Sequence, residues 1–396
     1  MTAASRRPRA DLWARHDVQW RHPAQAVGHW RGAAEMDTGL LAGAARGDWW
    51  DVVAQANVTL LVTREYEHLA MAISAAGGRP RVTYWPMPHP SGLAIDRKRG
   101  AVYVASTRSP NQVYRFATVT AAPPALPRGR RTPPSDHLVL APISSSIYPG
   151  SLYLHDLAII GGKLHGNAVG QNSVVLLEDN GRYRRVWWPR CVETRAVPIT
   201  SRNHLQLNSI AAGPTLRDSY FSASTDVVSA RRPGQKNFAV DGRGVIFSGR
   251  TREPIARGLT RPHSARLHRR RIWVDNSGYG ELGIASDGRF APIARLPGWT
   301  RGLCFHGDFA FVGTSRVIPE FRQYAPGLNV DRSVCGVHAV DIRSGKVVGS
   351  LLWPRGNQVF AVDWTEGAVD FPFAATGRAA IDPGRLFYSF AIERRK

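Results

Sequence analysis

Four histidines, His89, His155, His204 and His263, stand near the starts of similar segments spread along the chain. Neutral imidazole is a ligand for zinc, copper or iron, and it is also the side chain best suited to moving a proton near neutral pH. Asp156 directly follows His155, where a carboxylate can orient a ligating or proton-transferring ring. Arg301 sits in the run Trp299-Thr300-Arg301-Gly302-Leu303, and its planar fork suits a carboxylate or a phosphate. The expected catalytic set is therefore His155, Asp156, His263 and Arg301, with Asn208, Arg301, Gln358 and Trp299 holding substrate. His89, His155, His204 and His263 are the expected ligands of a divalent transition metal (Zn, Cu or Fe). Glu281 and Asp275 read as solvated loop carboxylates, and His165, His268, His306 and His338 as structural. There is no His-Glu-x-x-His, Gly-x-Ser-x-Gly, P-loop or Rossmann signature. That disfavours a serine hydrolase, an NTPase and a dinucleotide enzyme, so no nucleotide cofactor is expected.

Residues so far apart meet only if a repeating architecture brings them together. Six segments share a polar start, a short apolar strand, a tight turn and a second apolar strand. They begin at His89, His155, Asn208, His263, Arg301 and Gln358, and their strands align at Leu93, Leu157, Ile210, Ala265, Leu303 and Phe360. A four-stranded propeller blade takes about 40–50 residues, with longer blades carrying insertions. The spacing predicts an all-β, six-bladed β-propeller. Strand-like residues at 57–85 precede the first repeat and are expected to complete the blade containing Phe360, which removes an exposed sheet edge. Two residues before the aligned positions stand Ser91, His155, Asn208, His263, Arg301 and Gln358. Inner strands of a propeller start at one mouth of the channel, so these six are expected to face one small volume.

The 396 residues are 43% hydrophobic and 21% charged, enough for a real core. Residues 1–56 read as an irregular or partly helical basic extension, with an amphipathic stretch near Ala33–Ala54; residues 57–396 read as one propeller domain. The prolines at 121–134 read as an exposed loop. Three scattered cysteines exclude a disulfide framework, and no apolar run reaches the roughly 20 residues of a membrane helix. With no signal-like start, the expected compartment is the cytoplasm. The formal charge is +22, but only five of the 52 basic residues are Lys, and the arginines are dispersed. That pattern reads as a compositional skew, and no specific nucleic-acid partner is expected.

The motifs HDLA (155–158), HLQLNSIA (204–211), PHSARLH (262–268), NSGYGEL (276–282), LPGWTRGLCFHGD (296–308) and CGVHAVDIRSGKVVG (335–349) resemble a bacterial family of uncharacterised propeller-type proteins. Its members carry HDLA, LNG-like, PHSPR, DSGxGEL and LPGFTRGL in this order, over roughly residues 85–365 here. The resemblance implies the propeller fold and leaves the activity open. PHSPR is PHSAR in this chain, and an acidic position of the family is Gln358. The leading functional reading is a small-molecule enzyme of specialised metabolism with its site at one mouth of the channel. His-ligated metal chemistry (lyase, hydrolase or oxidation) on a carboxylate-bearing substrate is its first version. A metal-free acid/base cyclase on a strictosidine-synthase-like propeller and a non-enzymatic binding or scaffold propeller are the alternatives.

Overall fold

A computed structural model describes residues 17–108, 111–120, 138–194, 197–200, 202–235, 238–376 and Phe387. The proline-rich stretch 121–134 lies outside the described residues. Six sheets, each with four antiparallel strands at its core, follow one another around an axis as a six-bladed β-propeller. Their inner strands are Pro90–Asp96, Leu154–Ile160, Leu207–Ala211, Pro262–His268, Trp299–His306 and Ala361–Glu366, and we number the blades in that order. Each inner strand contains one of the apolar positions aligned from the sequence, except in the sixth blade, where the strand opens one residue after Phe360.

The ring closes with strands from both ends of the chain. Ala361–Glu366 is innermost in the sixth blade and pairs with Val58–Arg64, with Val62 opposite Val362. Leu69–Ser74 and Arg81–Pro86 then extend the same sheet. Strand Val58–Arg64 is buried at every position, and every residue in it except Arg64 is Val, Leu or Thr. Such a strand belongs in the middle of a blade, covered on each side by a neighbour.

Apolar packing lies between blades. Leu61, Ala70 and Ala72 of the sixth blade meet Leu93, Val104 and Phe116 of the first. Leu207, Ile210 and Phe221 of the third blade meet Ala158 and Val174 of the second. Polar side chains reinforce every joint near the channel. Ser91 Oγ donates to the Leu154 carbonyl (3.0 Å), Asn167 Nδ2 to Leu207 (2.9 Å) and Asn208 Nδ2 to Pro262 (2.9 Å). Ser277 Oγ donates to Thr300 (2.6 Å), Ser315 Oγ to Val359 (3.0 Å) and Thr63 Oγ1 to Ser91 (2.7 Å), which completes the circle. Each bond crosses a blade joint and contributes about 1 kcal/mol net.

The stretch at 33–54 is not one amphipathic element. Helix α1 spans Pro23–Ala34 and helix α2 spans Trp49–Ala56. Between them Ala44–Gly47 pairs with Lys346–Leu352 as a fifth strand of the fifth blade. Gly47 has φ 58°, and a Cβ there would lie 2.5 Å from the Val348 carbonyl, so this turn into α2 requires glycine. Trp49, Val52 and Val53 of α2 enter the core between the fifth and sixth blades. Further upstream, Asp17 pairs with Arg185 at 2.5 Å and accepts from the Tyr183 hydroxyl at 3.1 Å, which straps the N-terminal segment to the second blade. Among the described residues, no helix is long and apolar enough to cross a membrane.

Candidate functional site

One end of the channel opens into a cavity of about 190 Å³. His155, Asn208, His263, Arg301 and Gln358 line it, so five of the six positions aligned from the sequence reach one volume; Trp299 lines it too. Irregular backbone at the start of the inner strands aims these side chains. The pairing register slips between His263 and Arg266 and between Thr300 and Leu303. Ser264 (φ 52°) and Gly302 (φ 93°) take left-handed conformations within those slips. Such bulges bend a strand and redirect its side chains. A second irregularity precedes the strands: His89, Tyr153, Gln206 and Arg261, each four residues before an aligned apolar position, have φ of 45–53°. Left-handed backbone is uncommon outside glycine, and its recurrence at one structural position marks a constrained rim.

Arg301 is the centre of the polar arrangement. It is 7% exposed, and its guanidinium carbon stands 3.5 Å from the centre of the Phe360 ring. Its Nε donates to His263 Nε2 at 3.1 Å. Arginine only donates, so His263 Nε2 accepts and its proton resides on Nδ1, which donates to Ser264 Oγ at 2.9 Å. Ser264 Oγ in turn accepts from the Gly302 amide at 2.7 Å. With its amide oriented to suit both neighbours, Gln358 donates to Glu65 Oε2 at 3.2 Å, and its oxygen accepts from Arg301 Nη1 at 2.7 Å. Glu65 also accepts from Thr107 Oγ1 at 2.7 Å and pairs with Arg108 at 3.3 Å.

His155 lies beside His263, with ring centres 5.9 Å apart, and packs against Tyr153 at 4.9 Å and Phe360 at 5.3 Å. Its Nδ1 is buried without a hydrogen-bond partner among the described residues. Burial holds both imidazoles well below their ordinary pKa, and the charge on Arg301 adds to this, so both are neutral at physiological pH. Arg261 also lines the cavity, with its guanidinium carbon 4.6 Å from the Tyr324 ring centre. Its Nη1 is buried and unpartnered, and burial lowers its pKa to about 10. Among the described residues, no carboxylate lies within ion-pair distance of Arg261 or Arg301.

Two expected ligands are elsewhere. His89 does not line the cavity; its ring packs edge-on against His29 and His68, each 4.5 Å away between centres. The left-handed turn at His89 directs it to that cluster, where burial takes its pKa to about 3. His204 is half-buried in the connection before the third blade, where its amide donates to Asn172 Oδ1 at 2.8 Å. Among the described residues, no group of three or more His, Cys, Asp and Glu side chains could hold a metal ion. The expected four-histidine metal site is therefore not assembled, and the lone pair on His263 Nε2 is taken by the Arg301 N–H.

Asp156 is also displaced from its expected role. It points away from the cavity lining and receives Arg266 Nη1 at 2.7 Å, Arg266 Nη2 at 3.2 Å and the Ile210 amide at 3.0 Å. It thus ties the second blade to the third and fourth. Asn208 lines the cavity with its amide nitrogen already donating to Pro262 and, at 3.2 Å, to Ser224 Oγ. Asp275, expected in a solvated loop, is fully buried on the strand paired with His263, and burial pushes its carboxyl well above the ordinary range. Glu281 is buried as well and accepts from Asn276 Nδ2 at 2.9 Å.

Sequence reading missed Glu65, Tyr66, Arg108, Tyr153, Arg261, Phe321 and Tyr324. Tyr153 and Arg261 were within reach, because extending the repeat alignment two residues upstream captures them. Glu65, Tyr66 and Arg108 come from turns between the second and third strands of blades six and one. Phe321 and Tyr324 come from the long connection after Phe309–Ser315. Nothing in these turns repeats from blade to blade.

The profile of the family described as Domain of unknown function (DUF4915) matches residues 47–374, and the chain belongs to that family. The match begins upstream of the resemblance read from the motifs, and includes α2 and the strands that close the ring. No curated protein matches the sequence. A solved nidogen/laminin complex contains a chain with 11% identity and a TM-score of 0.50, covering 78% of this chain and 98% of that one. A gluconolactonase from Xanthomonas campestris has 12% identity and a TM-score of 0.45, covering 78% of this chain and 92% of that one. A streptogramin B lyase has 13% identity and a TM-score of 0.39, covering 74% of this chain and 76% of that one. At such identities the likeness is one of fold alone.

Proposed function

We propose that this member of the DUF4915 family is a small-molecule enzyme that binds a carboxylate-bearing substrate at the mouth of its channel and acts on it by acid–base chemistry. The observation that carries this reading is Arg301, a buried guanidinium with no carboxylate partner among the described residues, set beside two neutral imidazoles in an open cavity. A buried charge is costly unless paired, so such a site gains from an anion. Phe360, His263 and Gln358 fix the guanidinium from three sides, which orders it before a ligand arrives.

In this reading Arg301 anchors the substrate carboxylate, and Trp299 supplies an apolar wall. His155 is the proton-transfer group, because its Nδ1 has no hydrogen-bond partner among the described residues and its side chain lines the same cavity. His263 is a positioning residue: its Nε2 is occupied by Arg301. In the free protein His155 is a weak base. A substrate anion offsets the arginine field and raises its proton affinity, so basicity develops where the substrate sits.

The test is a calorimetric screen of small carboxylic acids against the wild-type protein, followed by R301Q and H155Q. The reading expects binding that R301Q weakens by about tenfold or more and H155Q retains, with turnover of the true substrate lost in both. Carboxylate binding of unchanged affinity in R301Q contradicts it.

A further inference from the structure

We infer that the pocket takes a dicarboxylate, with one carboxylate on Arg301 and the other on Arg261. This rests on the proposed carboxylate site and adds a second anchor to it. The charge balance of the lining is the first argument. Arg108, Arg261 and Arg301 face one carboxylate, Glu65, which is already paired with Arg108. Two positive charges remain in a small cavity whose two histidines are neutral, and a dianion balances them.

The second argument is the construction of Arg261. Its backbone holds a left-handed conformation (φ 53°) immediately before the inner strand of the fourth blade. The Tyr324 ring centre lies 4.6 Å from the Arg261 guanidinium carbon. Its Nη1 atom is buried and has no partner among the described residues. A buried guanidinium nitrogen without an acceptor is unfavourable, and a bound carboxylate satisfies it.

The donors left free on Arg301 suit a dicarboxylate better than a phosphate. The two guanidinium groups start from different blades, the fourth and the fifth. Arg301 has spent Nε on His263 and Nη1 on Gln358. Its remaining nitrogen offers an end-on contact rather than the bidentate fork that a phosphate uses best. Two separate contacts suit two separated carboxylates. Trp299, Phe321 and Tyr324 also line the cavity and offer aromatic surface to the carbon skeleton that joins two carboxylates.

The experiment is isothermal titration of the full-length protein with matched pairs, isophthalate against benzoate and glutarate against butyrate, with inorganic phosphate as a third arm. At least one dicarboxylate is expected to bind about tenfold or more tightly than its monocarboxylate partner, equivalent to about 1.4 kcal/mol. R261Q lowers that ratio to about one, R261K restores part of it, and R301Q weakens both members of the pair. Circular dichroism spectra matching the wild type establish that the variants are folded. Equal affinities within each pair, or a ratio that persists in R261Q, overturn the second anchor and leave the single-carboxylate site standing. Phosphate binding more tightly than both dicarboxylates overturns the dicarboxylate assignment. Absence of binding by every acid overturns both this inference and the proposed function.

Discussion

Two arginine sites on neighbouring blades differ in one respect. Arg266, on the fourth blade, is closed: Asp156 accepts from both of its terminal nitrogens, and the Ile210 and Ala265 carbonyls accept from Nη1. Arg301, on the fifth, is open: it has an imidazole, an amide and a benzene ring around it, and no carboxylate among the described residues. The first arrangement spends its charge on joining blades. The second holds its charge ready for something the chain does not supply. Arginine count or sequence position does not separate the two roles; the presence of a carboxylate across the blade joint does.

The largest expected effect breaks the closed site. Asp156→Ala leaves Arg266 uncompensated and removes the acceptor of the Ile210 amide, at a cost of about 3–5 kcal/mol in denaturant unfolding. Arg301→Gln removes a charge that has no carboxylate at ion-pair distance among the described residues, so unfolding stability is expected to change by less than about 1 kcal/mol. If both substitutions destabilise equally, the distinction between the sites fails.

Ligand affinity reverses that order. R301Q is expected to weaken carboxylate binding by about 10–100-fold, the range of a charge-assisted hydrogen bond of about 1.5–3 kcal/mol. A conservative Arg266→Lys variant is expected to leave it within about twofold, read by the same titration.

A third effect sharpens the electrostatics of the open site. In the free protein burial and the neighbouring arginines hold His155 well below its ordinary value of 6.5. A bound anion raises it, so the complex holds more protons than the free protein and affinity rises as pH falls from 8 towards 6. The change is at most tenfold per pH unit for one proton. Titrations in buffers of different ionisation enthalpy are expected to show proton uptake of up to about one, lost in H155Q. Proton release on binding contradicts the scheme.

The smallest effect concerns the circle of inter-blade hydrogen bonds. Asn208→Ala deletes the donor to Pro262, and chemical denaturation is expected to show a loss of about 1 kcal/mol, or up to about 3 because the carbonyl is buried. Carboxylate affinity is expected to hold within about threefold, since that amide is turned towards the backbone.

Much of this was legible in the sequence, for a local reason. A hairpin is written in a dozen consecutive residues, so the polar position ahead of each aligned strand could be found without knowing the fold. His155, His263, Arg301 and Gln358 all emerged that way and line the cavity. What failed depended on contacts the repeat does not encode. His89 occupies a repeat start, but its left-handed backbone and the partners His29 and His68 carry it into another cluster. Asp156 adjoins a site residue in sequence, yet alternation along a strand sends it to the opposite face, where Arg266 waits one blade beyond the next. Arg261 was hidden behind a proline, at a position whose importance lies in a backbone angle.

The most direct test of the account is a crystal structure of the protein grown with 3-bromobenzoate, with the bromine located by its anomalous scattering. The account predicts a bromine peak within the channel-mouth cavity and a carboxylate in hydrogen-bond contact with Arg301. A bromine peak only at other sites, or a carboxylate in the cavity that leaves Arg301 untouched, would contradict it.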